Sequence, residues 1–144
     1  MILAATILAL VIQGPHTSAV RAERRMFDDL NRTRVSDGLH PLAWDEKLTD
    51  LARQHALDMA RRNYYSHTSP EGLSPFDRMR AAGALAAYAG ENIAESEDES
   101  SAELALLNSP EHRDNMLDNH YGHVGIGVAV TPDGAMLFVE DFSS

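Results

Sequence analysis

The C-terminal part of the chain changes from helical spacing to the two-residue repeat of a β-strand, and this repeat constrains the fold most. Between residues 123 and 130, valine and isoleucine alternate with histidine, glycine and alanine. One face of the strand is therefore bulky and the other small, so another element must pack closely against the small face. Thr131-Pro132-Asp133-Gly134 is a turn signal, and residues 135–142 have the pattern of a second strand. We expect an antiparallel hairpin.

Helical spacing dominates the sequence before this hairpin. Apolar residues recur at helical intervals over residues 22–34, and a second helix is predicted from its N-terminal cap Asp45 to about Asn63. Capping signals predict three further helical segments. The first begins at Ser74-Pro75 and ends near Gly83, with Phe76 and Met79 as its apolar face. The second begins at Ser96 or Ser100 and the third at Pro110. Helices followed by a terminal hairpin predict an α+β domain.

The N-terminus has the features of an export signal. Residues 1–12 are uncharged and apolar except for Thr6, a run well short of the ~20 residues that a membrane-spanning helix needs. Small residues suited to cleavage follow at Thr17 and Ala19, and again at Val20 and Ala22. We predict a signal-peptide-like or disordered segment over residues 1–21 and one folded domain over residues 22–144. This interpretation predicts a secreted or extracytoplasmic protein with no integral membrane span. A buried N-terminal strand or helix is the alternative.

Composition excludes several classes of function. The 144 residues carry a formal net charge of −10, which repels phosphate backbones, so no nucleic-acid partner is expected. The chain has no cysteine, which excludes disulfides, thiolate metal ligands and a thiol nucleophile. Zinc-protease, nucleophile-elbow and phosphate-loop motifs are also missing.

Three titratable residues are candidates for a functional site: His67, Glu91 and His112. Each lies beside glycine, proline or serine, residues that favour turns, and this layout is typical of a site assembled from loops. Glu91 lies among small apolar residues, where a carboxylate needs a partner such as a metal, a proton donor or a cation. The alternatives are that His67 and His112 cap their own turns and that Glu91 is a solvated carboxylate without a functional role.

The other histidines are weaker candidates. His55 lies on the apolar stripe of the second helix, which favours a hydrogen-bonded core residue over a ligand. His120 and His123 flank Tyr121-Gly122 before the terminal strand, where exposure at the rim of a site is the simplest interpretation.

Several blocks in this order resemble the bacterial branch of the CAP superfamily, also called SCP, which includes plant pathogenesis-related protein 1 and insect venom allergens. The resemblance covers nearly the whole chain after Ala22. Its blocks are Leu42 to Trp44, Leu51-Ala52, Asp58-Met59-Ala60, Ser66-His67-Thr68-Ser69-Pro70-Glu71-Gly72, Pro75-Phe76-Asp77-Arg78-Met79, Gly83, Gly90-Glu91-Asn92-Ile93-Ala94, Asn108-Ser109-Pro110-Glu111-His112-Arg113 and Val124-Gly125-Ile126-Gly127-Val128.

The resemblance implies an α-β-α sandwich with a small antiparallel sheet, and a usually secreted protein. It also implies a cleft lined by two histidines and two acidic residues, of which His67, Glu91 and His112 match three. The fourth, acidic position falls near Ser109, and Leu106 stands where many bacterial relatives have tryptophan. A zinc site formed by His67 and His112 therefore lacks one family ligand, and His120 and His123 are the candidates to replace it.

Three functions are compatible with these observations. The first is a binding module for a protein, lipid or cell-wall ligand, whose cleft holds a divalent metal, Zn²⁺ above all, through His67 and His112, with Glu91 as third ligand or orienting group. The second is a metal-assisted hydrolase of peptide or cell-wall substrates with Glu91 as general base. The third is a lipid- or sterol-binding protein in which residues 81–89 line an apolar cavity.

Overall fold

The structure of the chain, a computed structural model, describes residues 15–144. This part contains five helices and four strands. In chain order they are α1 (Pro15–Ser36), β1 (Ala43–Trp44), α2 (Glu46–Arg62), α3 (Pro75–Ala81), β2 (Ala89–Ser96), α4 (Glu99–Asn108), α5 (Pro110–Met116), β3 (His123–Val130) and β4 (Met136–Ser143). The apolar run of residues 1–12 lies outside the described part. The first helix begins before residue 22, so the domain boundary expected there falls inside α1, and the signal peptide stays a prediction.

The strands form one sheet in the order β1-β3-β4-β2. Strands β2, β3 and β4 are antiparallel neighbours, whereas the short β1 runs parallel to β3. Helices α1, α4 and α5 bury their apolar residues against one face of the sheet, around Phe138 and Phe142. Helix α2 covers the other face, around Val139. This three-layer arrangement confirms the predicted α+β class and the α-β-α sandwich.

The small face of β3 lies directly against α2, as the alternation predicted. A Cβ atom added to Gly125 would lie 2.1 Å from the backbone nitrogen of Thr49, and one added to Gly127 would lie 2.1 Å from that of Arg53. Real Cβ atoms do not approach backbone so closely, because the atoms would overlap. The two glycines therefore set the distance between α2 and the sheet, and with it the position of the loop that follows α2.

Both ends of α2 are those predicted from the sequence. The Asp45 carboxylate accepts a hydrogen bond from the Leu48 backbone N–H at 2.9 Å and caps the start of the helix. Asn63 ends the helix in the left-handed conformation, at φ 53°. The His55 ring is buried and its Nε2 lies 2.9 Å from the Ser66 carbonyl oxygen, which confirms the prediction of a hydrogen-bonded core histidine.

Three details of the sequence prediction are wrong. Residues 89–96 form strand β2, which was not predicted because their sequence is poor in β-branched and aromatic residues. Asp98 caps α4 through the Ser101 backbone N–H, in place of Ser96 or Ser100. Phe76 is 44% exposed, so Met79 alone supplies the large buried side chain of α3.

Helix α5 is held in place by a buried arginine of α1. Arg34 donates from Nη1 to the carbonyl oxygens of Met116 at 2.7 Å and Asp118 at 3.0 Å. Its Nε donates to the His40 carbonyl oxygen at 3.0 Å. Because Met116 is the last residue of α5 and Asp118 lies just beyond it, the guanidinium fixes the C-terminal end of the helix that carries His112.

Candidate functional site

The candidate residues gather around β2, one of the two edge strands of the sheet. Glu91 lies in β2, His67 lies in the loop between α2 and α3, and His112 lies in the first turn of α5. We call His67, Arg78, Glu91 and His112 the edge-strand site. The predicted turn at Gly90-Glu91 is wrong, because both residues belong to the extended strand.

His67 and Glu91 are in direct contact. The His67 Nδ1 atom lies 2.8 Å from Glu91 Oε1, and the imidazole is 46% exposed whereas the Glu91 side chain is 1% exposed. With Nδ1 donating its proton to the carboxylate, the exposed Nε2 atom is left as an acceptor. The contact therefore fixes both the orientation and the tautomer of the His67 ring.

Arg78 of α3 was not predicted as a site residue, yet it completes this arrangement. Its Nη2 donates to the second Glu91 oxygen, Oε2. Its Nη1 donates to the carbonyl oxygens of His67 at 2.8 Å and Leu73 at 3.1 Å. Both oxygens of Glu91 are thus engaged, and one guanidinium ties the carboxylate to the histidine loop. The sequence signal was weak, since Arg78 is one of several arginines on capped helices.

Asp141 was also missed, and it is buried directly behind Glu91. The two residues are cross-strand partners in the β2–β4 pairing. Asp141 is 2% exposed, and its Oδ1 has no hydrogen-bond partner in the described part of the chain. Burial, the negative charge of Glu91 and a hydrogen bond with Glu91 raise the pKa of Asp141 well above its usual range. This shift favours the protonated, neutral form of the Asp141 carboxyl group. Two adjacent acidic residues, Glu140 and Asp141, in a mostly apolar strand were the available signal.

His112 is oriented by its own helical turn. Its Nδ1 lies 2.8 Å from the Ser109 hydroxyl oxygen, so the residue at the missing acidic position of the family pattern contacts the histidine directly. Burial lowers the pKa of His112, and the positive charge of a protonated His67 lowers it further. The two imidazoles therefore lie within electrostatic range of each other.

Asn92 anchors α5 to the edge strand. Its Nδ2 donates to the His112 carbonyl oxygen at 3.1 Å, and its Oδ1 accepts from Asn115 Nδ2 at 2.9 Å. Because neighbouring strand residues point to opposite faces, Glu91 reaches the histidine loop while Asn92 holds the helix that carries His112. Gly90 has no room for a side chain, since an added Cβ would lie 2.5 Å from the Tyr121 hydroxyl oxygen.

The histidines suggested as substitutes for the missing acidic ligand have other surroundings. The His120 Nδ1 lies 2.7 Å from Asp118 Oδ1, and its ring stacks on Tyr88 with centroids 4.1 Å apart. His123 is exposed at the start of β3. Among the side chains that the structure describes, those of residues 18–144, no group of three or more histidine, aspartate or glutamate residues has the geometry to hold a metal ion. A metal at the edge-strand site would therefore have two protein ligands, His67 and His112.

Comparison with known proteins establishes the family. Residues 27–142 match CAP, the cysteine-rich secretory protein family, and the chain belongs to this family despite having no cysteine. This confirms the resemblance drawn from the sequence blocks.

Three relatives illustrate the similarity. The chain is 39% identical over 106 residues to the uncharacterized protein YkwD of Bacillus subtilis (strain 168), covering 73% of this chain and 41% of YkwD. It is 38% identical over 108 residues to the uncharacterized membrane protein YlbC of the same strain, covering 74% of this chain and 31% of YlbC. An extracellular protein containing a SCP domain from Bacillus anthracis str. Ames aligns with a TM-score of 0.80 at 31% identity, over 90% of this chain and 43% of that one.

The chain spans less than half the length of these three relatives. One of them is described as extracellular and another as a membrane protein. In the described part of this chain, no helix is both long enough and apolar enough to cross a membrane.

Proposed function

We propose that this chain is an extracytoplasmic CAP binding module in which the Nε2 atoms of His67 and His112 bind a divalent metal ion, Zn²⁺ above all. The observation that carries the proposal is the 2.8 Å contact between His67 Nδ1 and the buried Glu91 carboxylate. Metal-binding histidines commonly donate their second ring nitrogen to a carboxylate or another acceptor, which orients the ring and makes the ligating nitrogen more basic. His112 has an equivalent partner in the Ser109 hydroxyl.

Glu91 orients the metal ligand His67 through a hydrogen bond and does not bind the metal directly. Both of its oxygens are already hydrogen-bonded, and its side chain is buried. The Arg78 guanidinium on Oε2 also disfavours a second cation at this carboxylate. Zn²⁺ usually has four ligands, so two imidazoles leave positions for water or for a group of the bound partner. That partner is a protein, lipid or cell-wall ligand.

The two other functions have less support. A general base must reach the water that it deprotonates, whereas Glu91 is buried and paired with Arg78. For lipid binding, residues 81–89 were expected to line a cavity, but Leu85 and Tyr88 are exposed at the surface. A groove of about 410 Å³ lies in a different region, against Tyr64, Tyr65 and the turn at residues 131–133.

Isothermal titration calorimetry with ZnCl₂ at pH 7.5 tests the metal site. We expect the wild-type protein to bind Zn²⁺, and we expect His67→Ala and His112→Ala each to abolish binding because one imidazole remains. His123→Ala is the matched control, since it removes an exposed histidine outside the site and should leave the isotherm unchanged. Absence of heat in the wild type, or loss of binding in the control alone, would contradict the proposal.

A further inference from the structure

A groove of about 410 Å³ lies between the C-terminal end of α2, the end of β2 and the turn that joins β3 to β4. We call it the tyrosine groove. Its lining is apolar, aromatic and acidic, and includes Met59, Tyr64, Tyr65, Glu95, Asp133 and Leu137. Met59 and Leu137 are buried, so they form its apolar floor. Among the described residues that line the groove, none is a lysine, an arginine or a histidine.

The two tyrosines present ring surface to the groove, because their hydroxyl groups are used elsewhere. The Tyr64 hydroxyl donates to Asp58 Oδ2 at 2.6 Å. The Tyr65 hydroxyl donates to the Ile93 carbonyl oxygen at 2.9 Å, although Tyr65 as a whole is 50% exposed. These hydrogen bonds fix the direction of both side chains. A ligand in the groove therefore meets aromatic rings, which attract cations through the negative charge density of their faces.

The negative charge of the groove has no counter-ion in the described part of the chain. Glu95 and Asp133 are exposed, and neither forms an ion pair there. Burial and then the charge of Glu95 raise the pKa of Tyr65, which places this carboxylate within electrostatic range of the ring. The chain as a whole has a formal net charge of −10, so it also attracts cations over a longer distance. The group that matches both the rings and the carboxylates is a guanidinium, which is planar, always charged and more weakly hydrated than an ammonium.

Backbone groups of β2 are free at the edge next to the groove, because alternate residues of an antiparallel strand direct their N–H and C=O groups away from the partner strand. The Glu91 carbonyl oxygen accepts from Asn115 Nδ2 at 3.4 Å, outside the sheet. The Ile93 carbonyl oxygen accepts from Tyr65, so the odd-numbered residues of β2 face away from β4. Glu95 is the next of them, and within the described chain its backbone N–H and C=O have no hydrogen-bond partner. These two groups are those with which an extended peptide pairs when it adds to the edge of a sheet.

We propose that the tyrosine groove docks an extended basic segment of a partner protein, with an arginine side chain against the tyrosine rings and the carboxylates of Glu95 and Asp133. The backbone of the segment pairs with Glu95 at the open edge of β2. A fatty acid or a phosphate group would bring a second negative charge to these carboxylates and is disfavoured. The inference does not depend on metal binding, since neither His67 nor His112 lines the groove.

An NMR titration of the ¹⁵N-labelled protein, with EDTA present to remove metal ions, tests the docking. The probe is a capped five-residue peptide with arginine at its centre and valine and threonine on either side, and we expect it to shift the amide signals of Tyr65, Glu95 and Asp133. The same peptide with citrulline in place of arginine keeps the shape without the charge, and it should bind at least about fivefold more weakly. Absence of these shifts, or equal affinity of the two peptides, would overturn the proposal. Equally tight binding of N-acetylarginine methylamide, which has no extended backbone, would also overturn it.

Matched variants locate the docking site. Glu95→Gln and Tyr65→Leu should each weaken binding of the arginine peptide by about twofold to fivefold. Tyr65→Phe should weaken it less than Tyr65→Leu, because the aromatic ring remains. Glu97→Gln is the control: it removes the same charge from an exposed residue that does not line the groove, and it should leave the affinity nearly unchanged. Equal effects of Glu95→Gln and Glu97→Gln would mean that the overall charge of the chain attracts the peptide, and would overturn the groove as its docking site.

Discussion

At the scale of single residues, the edge-strand site depends on His67 and His112 being neighbours. Each has its Nδ1 atom occupied, by Glu91 in one case and Ser109 in the other. The pKa of His112 is lowered by burial and then by the charge of His67. The His112 ring therefore binds a proton more readily in the unfolded chain than in the folded protein. The contribution of His112 to stability is present above pH 6.5 and is lost as the pH falls through the lowered pKa of the folded state.

The variant His67→Gln should raise the pKa of His112 towards its ordinary value of 6.5, because glutamine keeps much of the bulk of histidine but cannot become charged. The measurement is an NMR titration of the His112 ring protons. His120→Ala is the control, since His120 lies against Asp118 and Tyr88 and should not affect His112. An unchanged His112 titration in His67→Gln would mean that the rings are not neighbours, and the two-imidazole site would then fail.

At the scale of elements, the packing of α2 on β3 fixes where the loop carrying His67 begins. The contact is between backbones: an added Cβ at Gly127 would lie 2.1 Å from Arg53 N and 2.2 Å from Ala52 C. Neither atom is the end of a flexible side chain, so α2 as a whole would have to move. Such overpacking lowers the free energy of unfolding more than the insertion of a methyl group beside a mobile side chain does.

Gly127→Ala should therefore destabilise the protein by roughly 3 kcal/mol or more, measured by urea unfolding. Gly122→Ala is the matched control, because an added Cβ there meets nothing within 4 Å, and its effect should stay within about 0.5 kcal/mol. If α2 shifts as expected, the loop carrying His67 is already displaced in Gly127→Ala. Adding His67→Gln to that variant should therefore change zinc binding less than His67→Gln changes it in the wild-type protein. Equal stability of the two alanine variants would refute the packing argument.

At the scale of the whole molecule, the sequence predicted those features that depend on local patterns. The β3–β4 hairpin, the caps of α2 and the burial of His55 follow from alternation, turn chemistry and helical spacing, and all are present. Strand β2 was missed because its conformation comes from pairing with β4, which is distant in the sequence. The same pairing places Asp141 behind Glu91. Arg78 joined the site only through tertiary contacts, which no local pattern encodes.

The two helical layers of the molecule are joined around the open edge of β3. Strand β1 pairs with only the first two residues of β3. The rest of this edge of β3, near Val128, therefore has no neighbouring strand in the described sheet. The buried carboxylate of Glu23, from α1, accepts from Arg53 Nε at 2.9 Å and Nη2 at 2.6 Å, and from the Val128 backbone N–H at 3.3 Å. One side chain of α1 therefore pairs with α2 and satisfies the sheet edge between them.

Glu23→Ala should lower the free energy of unfolding by roughly 2–4 kcal/mol, because it leaves the Val128 N–H and the Arg53 guanidinium without their acceptor. Arg53 is about one-third exposed, so water can hydrate its guanidinium once Glu23 is removed. The loss of stability is therefore smaller than for a fully buried ion pair. Glu46→Ala is the control: it removes an exposed carboxylate that accepts from Trp44 Nε1 at 3.0 Å and lies 3.8 Å from Arg24, and it should change stability by less than about 1 kcal/mol. Hydrogen exchange gives the spatial test, since the Val128 amide should lose protection in Glu23→Ala more than the Val139 amide, which lies within the sheet. Equal loss at both amides would mean that Glu23 stabilises the fold generally and does not close the edge of the sheet.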